Sequence, residues 1–382
     1  MRKHYLFAPG PTSVPPEVLL ELAKPVLHHR EPQFLETLSE VREGLKYLFQ
    51  TSGEVILLSA SGTGAMEAAV ANLFSTGDRA LVISGGKFGE RWGEICRAYG
   101  VKAVTLEVPW GEAVKPGDVV AALARDDLIR GVCVQACETS TGAAHDVRAL
   151  GEIVKAHPQA LLLVDAVSAL GATDVRTDEW GLDAVVAGSQ KAMMLPPGLA
   201  FVAMSDRAWR RAAETNLPRY YFDLLKIRSE LEQDDHPYTL PTPVVVALRE
   251  ALRSLRAEGL DHIFRRHRQL AEATRAGIKA LGLSLLAEKS PSDALTVVRV
   301  PAGIDGARIP KLFQDLCNIT IVGGQDRLRG KVFRLAHMGY VDTFDVITMV
   351  SAVEIVLHHL GYPLEWGAGV RAAQEVLATS IQ

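Results

Sequence analysis

At 382 residues the chain exceeds what one ordinary hydrophobic core holds, and two domains are expected, one of them large. Apolar residues make up 48%, charged residues 23%, and the formal net charge is −4 at pH 7. That balance lacks the basic excess that recruits nucleic acid or an anionic membrane, and no apolar run approaches the ~20 residues of a membrane span, so neither partner is expected.

The opening residues, Met1-Arg-Lys-His-Tyr-Leu-Phe-Ala-Pro-Gly-Pro11, are too short in apolar run and too proline-rich for a secretory signal. The cysteines, Cys96, Cys133, Cys137 and Cys317, form no Cys-x-x-Cys pair, which argues against a disulfide framework or a zinc site. A thiol-reduced, cytoplasmic protein is expected. The prolines of Phe7-Ala-Pro-Gly-Pro-Thr-Ser-Val-Pro-Pro16 fix φ and remove donors, so this stretch reads as an extended arm that turns at Gly10. Helices are predicted over 16–27 and 33–49, the second with Phe34, Leu35, Leu38, Val41 and Leu45 at helical spacing. Between them His28-His-Arg-Glu-Pro32 reads as a polar loop or as the border of a site.

From residue 54 short apolar runs alternate with amphipathic stretches. Strands are predicted at 55–58, 80–83, 101–108, 131–136 and 160–165, with helices at 66–74, 88–99, 116–124 and 147–156. Strands that are apolar throughout, in a β-α-β-α rhythm, argue a parallel sheet covered on both faces. Two further strands, 183–187 and 198–204, have no helix between them, so at least one of them can run antiparallel. Beyond residue 206 come a helix at 207–216, a polar loop through 237, and a long amphipathic helix from about 243. A second helix, or a continuation of it, reaches 281 after Gly259. Strands at 295–300, 319–322 and 332–335, with helices at 309–316 and 343–360, suggest a small α+β domain followed by a weakly amphipathic tail.

Chemistry gathers at the predicted strand ends. Ser59-Ala-Ser-Gly-Thr-Gly64 lies between a strand and a helix, where free amides and the helix dipole favour an anion, although such a turn can be purely structural. Asp165 closes a wholly apolar strand, either as a helix cap or as a carboxylate awaiting a cationic partner. Cys137-Glu-Thr-Ser-Thr-Gly142 crowds polar side chains at the same edge, and Phe88 offers a ring there unless it is core. Lys191, in Gly188-Ser-Gln-Lys-Ala-Met-Met-Leu-Pro-Pro-Gly198, has apolar neighbours that disfavour its ammonium form. Alone it reads as a snorkelling lysine. Together these groups form the set that pyridoxal phosphate needs: a phosphate cradle, a stacking ring, a carboxylate for the ring nitrogen and a lysine for the aldehyde.

The same motifs resemble those of the class V aminotransferases of fold type I, nearest the alanine–glyoxylate and serine–glyoxylate (serine–pyruvate) branch. The resemblance spans nearly the whole chain through Pro9-Gly-Pro11, Ser59-Ala-Ser-Gly-Thr-Gly64, Glu67-Ala-Ala69, Gly89-Glu-Arg91, Glu138-Thr-Ser-Thr-Gly142, Val164-Asp-Ala-Val-Ser168, Gly188-Ser-Gln-Lys191, Pro196-Pro-Gly198 and Leu248-Arg-Glu-Ala-Leu252. It implies an α/β fold with a mostly parallel seven-stranded sheet and a smaller α+β C-terminal domain. The organisation expected is an arm at 1–16, a large cofactor-binding domain at 17–255 and a small domain at 256–382.

By resemblance, Lys191 is the catalytic lysine and Asp165 keeps the pyridine nitrogen protonated. Ser61, Gly62, Thr63 and Gln190 hold the phosphate, Thr139 contacts the ring hydroxyl or phosphate region, Val167 packs under one ring face and Phe88 stands where the family often has a tryptophan. Arg334 matches the arginine that pairs with the substrate carboxylate. The family reaches the phosphate with a Tyr/Thr pair from a second subunit, which implies a homodimer with shared sites. Thr239 matches the threonine, but His236 occupies the tyrosine position, with Tyr238 as a possible replacement. The activity implied is transfer of an amino group from serine or alanine to glyoxylate or pyruvate by a ping-pong cycle. Aspartate or a purine-catabolic donor is the alternative, with His29 and Arg30 as candidates to meet a distal carboxylate. Less favoured are a cysteine desulfurase, for which Cys317 looks like an inward-packed helix position, and a non-catalytic cofactor-binding subunit.

Overall fold

The computed structural model describes residues 3–233 and 235–379. Its centre is a seven-stranded sheet in the order Val55–Leu58, Ala200–Met204, Ala184–Gly188, Leu161–Asp165, Ile129–Gln135, Arg79–Ser84, Lys102–Glu107. Adjacent strands are parallel except Ala200–Met204, which runs antiparallel to both neighbours. This strand follows Ala184–Gly188 through a turn with no crossover helix, and only an antiparallel return is open to so short a link. The inner strands Leu161–Asp165, Ala184–Gly188 and Ala200–Met204 are buried along their whole length, and Ile129–Gln135 and Arg79–Ser84 are buried except at Arg130 and Arg79, whereas the edge strand Lys102–Glu107 exposes charged residues at both ends.

Helices Gly62–Leu73, Lys87–Ala98 and Val147–Lys155 each begin just past a strand's C-terminal end or its following turn. The turns that carry Ser61, Phe88, Thr139, Asp165 and Lys191 thus converge on one edge, where open α/β sheets bind ligands. A first buried cluster packs around the sheet, with Phe49, Trp92 and Phe201 at its heart. A second lies under the C-terminal strands and helices around Phe313, Phe333 and Val353. Helix Leu260–Ala280 joins them, with Ile263 in the first cluster and Leu270 and Ile278 in the second. The N-terminal arm crosses to the second cluster: Tyr5–Leu6 pairs in parallel with Ile319–Thr320, and Phe7 exchanges backbone hydrogen bonds with Thr320 and Ala336.

Several local expectations are corrected. The helix expected at 16–27 ends at Leu22, because Pro25 disfavours helical geometry in the residue before it. The single strand expected at 319–322 is two: Ile319–Thr320 serves the arm, and Val322–Gly323 joins the C-terminal sheet through Phe333 and Arg334. The helix expected at 309–316 is one α-turn, Ile309–Leu312, widening into a π-turn, Phe313–Cys317, so Cys317 is only half-buried. A helix, Leu224–Leu231, interrupts the expected polar loop, its start marked by Asp223 accepting from the Lys226 amide. The C-terminal tail contains a helix, Ala368–Ala378, that buries Ala373 and Leu377. Among the described residues no helix is long and apolar enough to cross a membrane.

Candidate active site

Lys191 sits in the turn that follows strand Ala184–Gly188. The Ser189 hydroxyl closes this turn by donating to the Pro196 carbonyl (2.7 Å) and accepting from the Leu199 amide (3.3 Å). The N-terminal arm then clasps the lysine: Thr12 Oγ1 donates to the Lys191 carbonyl (2.8 Å), and Lys191 Nζ donates to the Pro9 carbonyl. Gly10, at φ 145°, passes so close that a Cβ there would stand 2.6 Å from Nζ. Burial of the amino group lowers the Lys191 pKa to about 8, and Cys137 and Asp165 only partly offset the loss of hydration.

Asp165 ends its strand with 4% of its surface exposed. Its Oδ1 accepts from the Val167 amide at 2.8 Å, so the carboxylate caps a tight turn and not a helix. Burial pushes its pKa up to about 6, against the Val167 hydrogen bond and the positive charges of Lys191 and Arg91. Beside it the Thr139 and Ser168 hydroxyls are 2.7 Å apart.

The stretch 59–64 leads from strand Val55–Leu58 directly into helix Gly62–Leu73. Gly64 and Ala65 donate to the Ser61 carbonyl, while the Gly62 and Thr63 amides, ahead of the first helical bond, have no intrahelical partner. A Cβ on Gly62 would stand 2.5 Å from Val167 Cγ2, so only glycine lets this turn approach the Asp165 loop so closely. Arg91 Nη1 donates to Thr63 Oγ1 at 3.0 Å, with its guanidinium 4.8 Å above the Phe88 ring.

Ser61, Gly62, Thr63, Phe88, Thr139, Asp165, Val167, Gln190 and Lys191 border one cavity of about 260 Å³. Two expected residues do not. Arg334, on strand Val332–Ala336, lies behind the Thr139 wall, with Nε on the Gly323 carbonyl (3.0 Å) and Nη1 on the Thr139 carbonyl (3.4 Å). Burial lowers its pKa to about 10, and among the described residues no carboxylate forms an ion pair with it. Thr239 is exposed in a separate shallow cleft with Ser61, Pro197 and Gly198. His236 is buried, bonded to the Leu57 carbonyl (3.2 Å) and the Tyr238 backbone, and the Tyr238 hydroxyl donates to the Tyr220 carbonyl (2.6 Å). Neither borders the cavity. His29 and Arg30 lie on the surface, where Arg30 meets Asp235 at 3.1 Å.

Sequence reasoning assigned no role to Arg91, Met66 or Ser168, which also border the cavity. The signal for Arg91 was its place three residues after Phe88, which puts both on one helix face.

Residues 4–333 match the family model for class V aminotransferases. The chain belongs to the class V aminotransferase family. It is 47% identical, over 99% of both chains, to a Synechococcus sp. (strain PCC 6716) protein named soluble hydrogenase, small subunit. With the L-aspartate–glyoxylate aminotransferase of Paracoccus denitrificans it shares 37% identity over 97% of this chain and 95% of the other. The crystal structure of alanine–glyoxylate aminotransferase from Nostoc sp. superposes with a TM-score of 0.89 at 32% identity, covering 94% of this chain and 96% of that one. Among the described residues no group of three His, Cys, Asp or Glu side chains gathers to hold a metal ion.

This aminotransferase is a pyridoxal-phosphate-dependent transaminase of the α/β fold shared by these enzymes. The cavity fits that cofactor. Gln190 Oε1 is buried without a partner among the described residues, the Gly62 and Thr63 amides have no intrahelical acceptor, and Gly10 and Gly62 stand where a Cβ would collide with Lys191 and Val167 of the cavity lining.

Proposed function

We propose that this aminotransferase moves the amino group of a small donor, serine or alanine, onto glyoxylate or pyruvate, as a cytoplasmic homodimer whose two copies share their active sites. The observation that carries this reading is the convergence of an enclosed amine, a buried carboxylate and an anion turn around one small cavity. Bound pyridoxal phosphate supplies an aldehyde to receive the amino group and an electron-poor ring to stabilise negative charge at the substrate α-carbon.

The remaining work falls to the chain. Lys191 Nζ, with its pKa near neutrality, would attach the cofactor and then carry the proton to and from the substrate α-carbon. Asp165 would hold a proton on the ring nitrogen, a cation that relieves its own buried charge. The Gly62 and Thr63 amides, Ser61 and Gln190 would hold the phosphate, with Arg91 reaching it through Thr63. Phe88 and Val167 would enclose the ring, and Thr139 would orient its polar edge.

Arg334, held by two carbonyls and without an ion pair among the described residues, would receive the substrate carboxylate. Within the protomer Arg91 is the one arginine bordering the cavity among the described residues, and it is engaged with Thr63. With Arg91 assigned to the phosphate side through Thr63, no further arginine among the described residues borders the cavity to meet a distal carboxylate, which favours serine or alanine over aspartate. Two of the relatives are named for glyoxylate with different donors, which supports glyoxylate as acceptor. Exposure of Thr239 beside Ser61 supports a second copy completing the phosphate site, and the free, buried thiols of Cys96, Cys133 and Cys137 support a cytoplasmic location.

A donor panel of serine, alanine, aspartate and ureidoglycine, run against glyoxylate, pyruvate and 2-oxoglutarate, tests the proposal. Serine or alanine with glyoxylate or pyruvate is expected to give the highest kcat/KM, and a preference for aspartate would replace this reading with the alternative. Lys191→Ala is expected to lose both turnover and borohydride-fixed attachment of the cofactor. Retention of both would remove Lys191 from its role.

A further inference from the structure

Helix Lys87–Ala98 has no cap of its own: Gly86 precedes it and no side chain on the same segment bonds to its first turn. Those amides are taken from outside, by two residues that lie some fifty positions later in the chain. Glu138 Oε2 accepts from the Phe88 amide at 3.0 Å and the Gly89 amide at 2.9 Å. Ser140 Oγ accepts from the Lys87 amide at 3.0 Å. The second oxygen, Glu138 Oε1, accepts from both the amide and the hydroxyl of Ser140. The carboxylate is fully buried, and the positive end of a helix is where such a charge is best stabilised.

Two members of this helix border the cavity. Phe88 lies in the turn that Glu138 holds, and Arg91, one turn on, covers the Phe88 ring and bonds to Thr63. Residue 139, next to Glu138, is itself a cavity wall. One carboxylate therefore ties the turn that carries Phe88 to the segment that carries Thr139. Space is made for it at Gly86, where a Cβ would stand 2.4 Å from Glu138 Cδ and 2.6 Å from Ser140 Oγ.

We propose that Glu138 is a positioning residue for the cofactor site: it docks the first turn of helix Lys87–Ala98, and through it Phe88 and Arg91, at the separation that a planar ring and its phosphate require. The proposal rests on the reading of the cavity as the pyridoxal-phosphate site. Glutamine is a discriminating replacement because its shape is the same but one oxygen becomes a donor. Whichever way the amide turns, its NH2 faces either the Phe88 and Gly89 amides or the Ser140 amide, so one donor group is always left opposed.

The test titrates pyridoxal phosphate into the full-length apoprotein and records the affinity together with the visible circular dichroism of the bound cofactor. Glu138→Gln is expected to weaken binding about tenfold and to change the dichroic band at saturation, well below its melting temperature. Phe88→Leu is expected to weaken binding by a similar factor, and the double variant by no more than about twentyfold, since both changes remove the same ring placement. Should Glu138→Gln fail to fold, Gly86→Ala displaces the carboxylate by contact alone, at a φ of 172° that any residue adopts, and is expected to show the same loss and the same band change. A hundredfold loss in the double variant would overturn the positioning role, as would Glu138→Gln or Gly86→Ala with parental affinity and a parental band. A parent chain that binds no pyridoxal phosphate would overturn the cofactor site as well.

Discussion

Lys191 and Asp165 show how one environment tunes opposite charges toward each other. Loss of hydration lowers the lysine to about 8 and raises the aspartate to about 6, so both titrate near neutrality. For Asp165 the shift has a stability consequence. The unfolded chain ionises it at the ordinary 3.8, the folded chain at about 6, so between these values folding takes up a proton. Well below pH 4 the group is protonated in both states and contributes nothing. Above about pH 6 it is ionised in both, and folding carries the full penalty, on the order of 3 kcal/mol. Asp165→Asn, which keeps an acceptor for the Val167 amide, is therefore expected to raise the melting temperature of the apoprotein at pH 8 and to raise it less as the pH approaches 4. The same change should weaken cofactor binding, because the ring nitrogen loses its anion. Calorimetry at several pH values checks the first effect; an unchanged or lower apo melting temperature at pH 8 would refute it.

At the scale of elements, helix starts and strand ends do most of the placing. Gly62 lets helix Gly62–Leu73 begin against Val167, a branched side chain with little freedom to move. Gly62→Ala is expected to push the two apart and weaken cofactor affinity more than tenfold. Gly117, in helix Pro116–Arg125, has nothing within 4 Å of a built Cβ. Gly117→Ala should instead stabilise the fold by about 0.5 kcal/mol without changing cofactor affinity. Equal effects from the two substitutions, measured by cofactor titration and thermal unfolding, would show that close approach at Gly62 does not matter. Most element types and their order were readable in the chain because the central strands are apolar runs and the predicted helices carry 3.6-residue spacing. Helices Leu224–Leu231 and Ala368–Ala378 were not, nor were the short pieces. Ile319–Thr320 and Val322–Gly323 look like one strand in sequence, and their division depends on which partner each meets.

The whole molecule is stitched together by segments from opposite ends of the chain. The arm at Tyr5–Phe7 pairs with Ile319–Thr320 and, a few residues on, clasps Lys191 through Pro9 and Thr12. Across the face that bears Thr239, Tyr220 is 78% exposed, and Tyr221 stacks on Tyr238 with centroids 4.6 Å apart. An exposed aromatic cluster beside a cleft that borders Ser61 is suited to burial by a second copy. Sedimentation is expected to show a dimer, and Tyr220→Arg with Thr239→Arg to give monomers with weakened cofactor binding. A monomeric parent with full cofactor affinity would contradict shared sites.

The sequence by itself determined the doubly covered sheet and the chemistry at its edge, because apolar runs and the residues ending them are local patterns. Ser61, Gly62, Thr63, Phe88, Asp165 and Lys191 were all legible in that way. Tertiary structure decided which of these groups meet and what holds them. Glu138 caps a helix fifty residues earlier, Arg91 reaches Thr63, Pro9 faces the lysine amine, and Arg334 stands behind Thr139 outside the cavity lining. Each of these is a contact between residues far apart in the chain, and its geometry comes into being only when the sheet, the arm and the C-terminal strands have packed together.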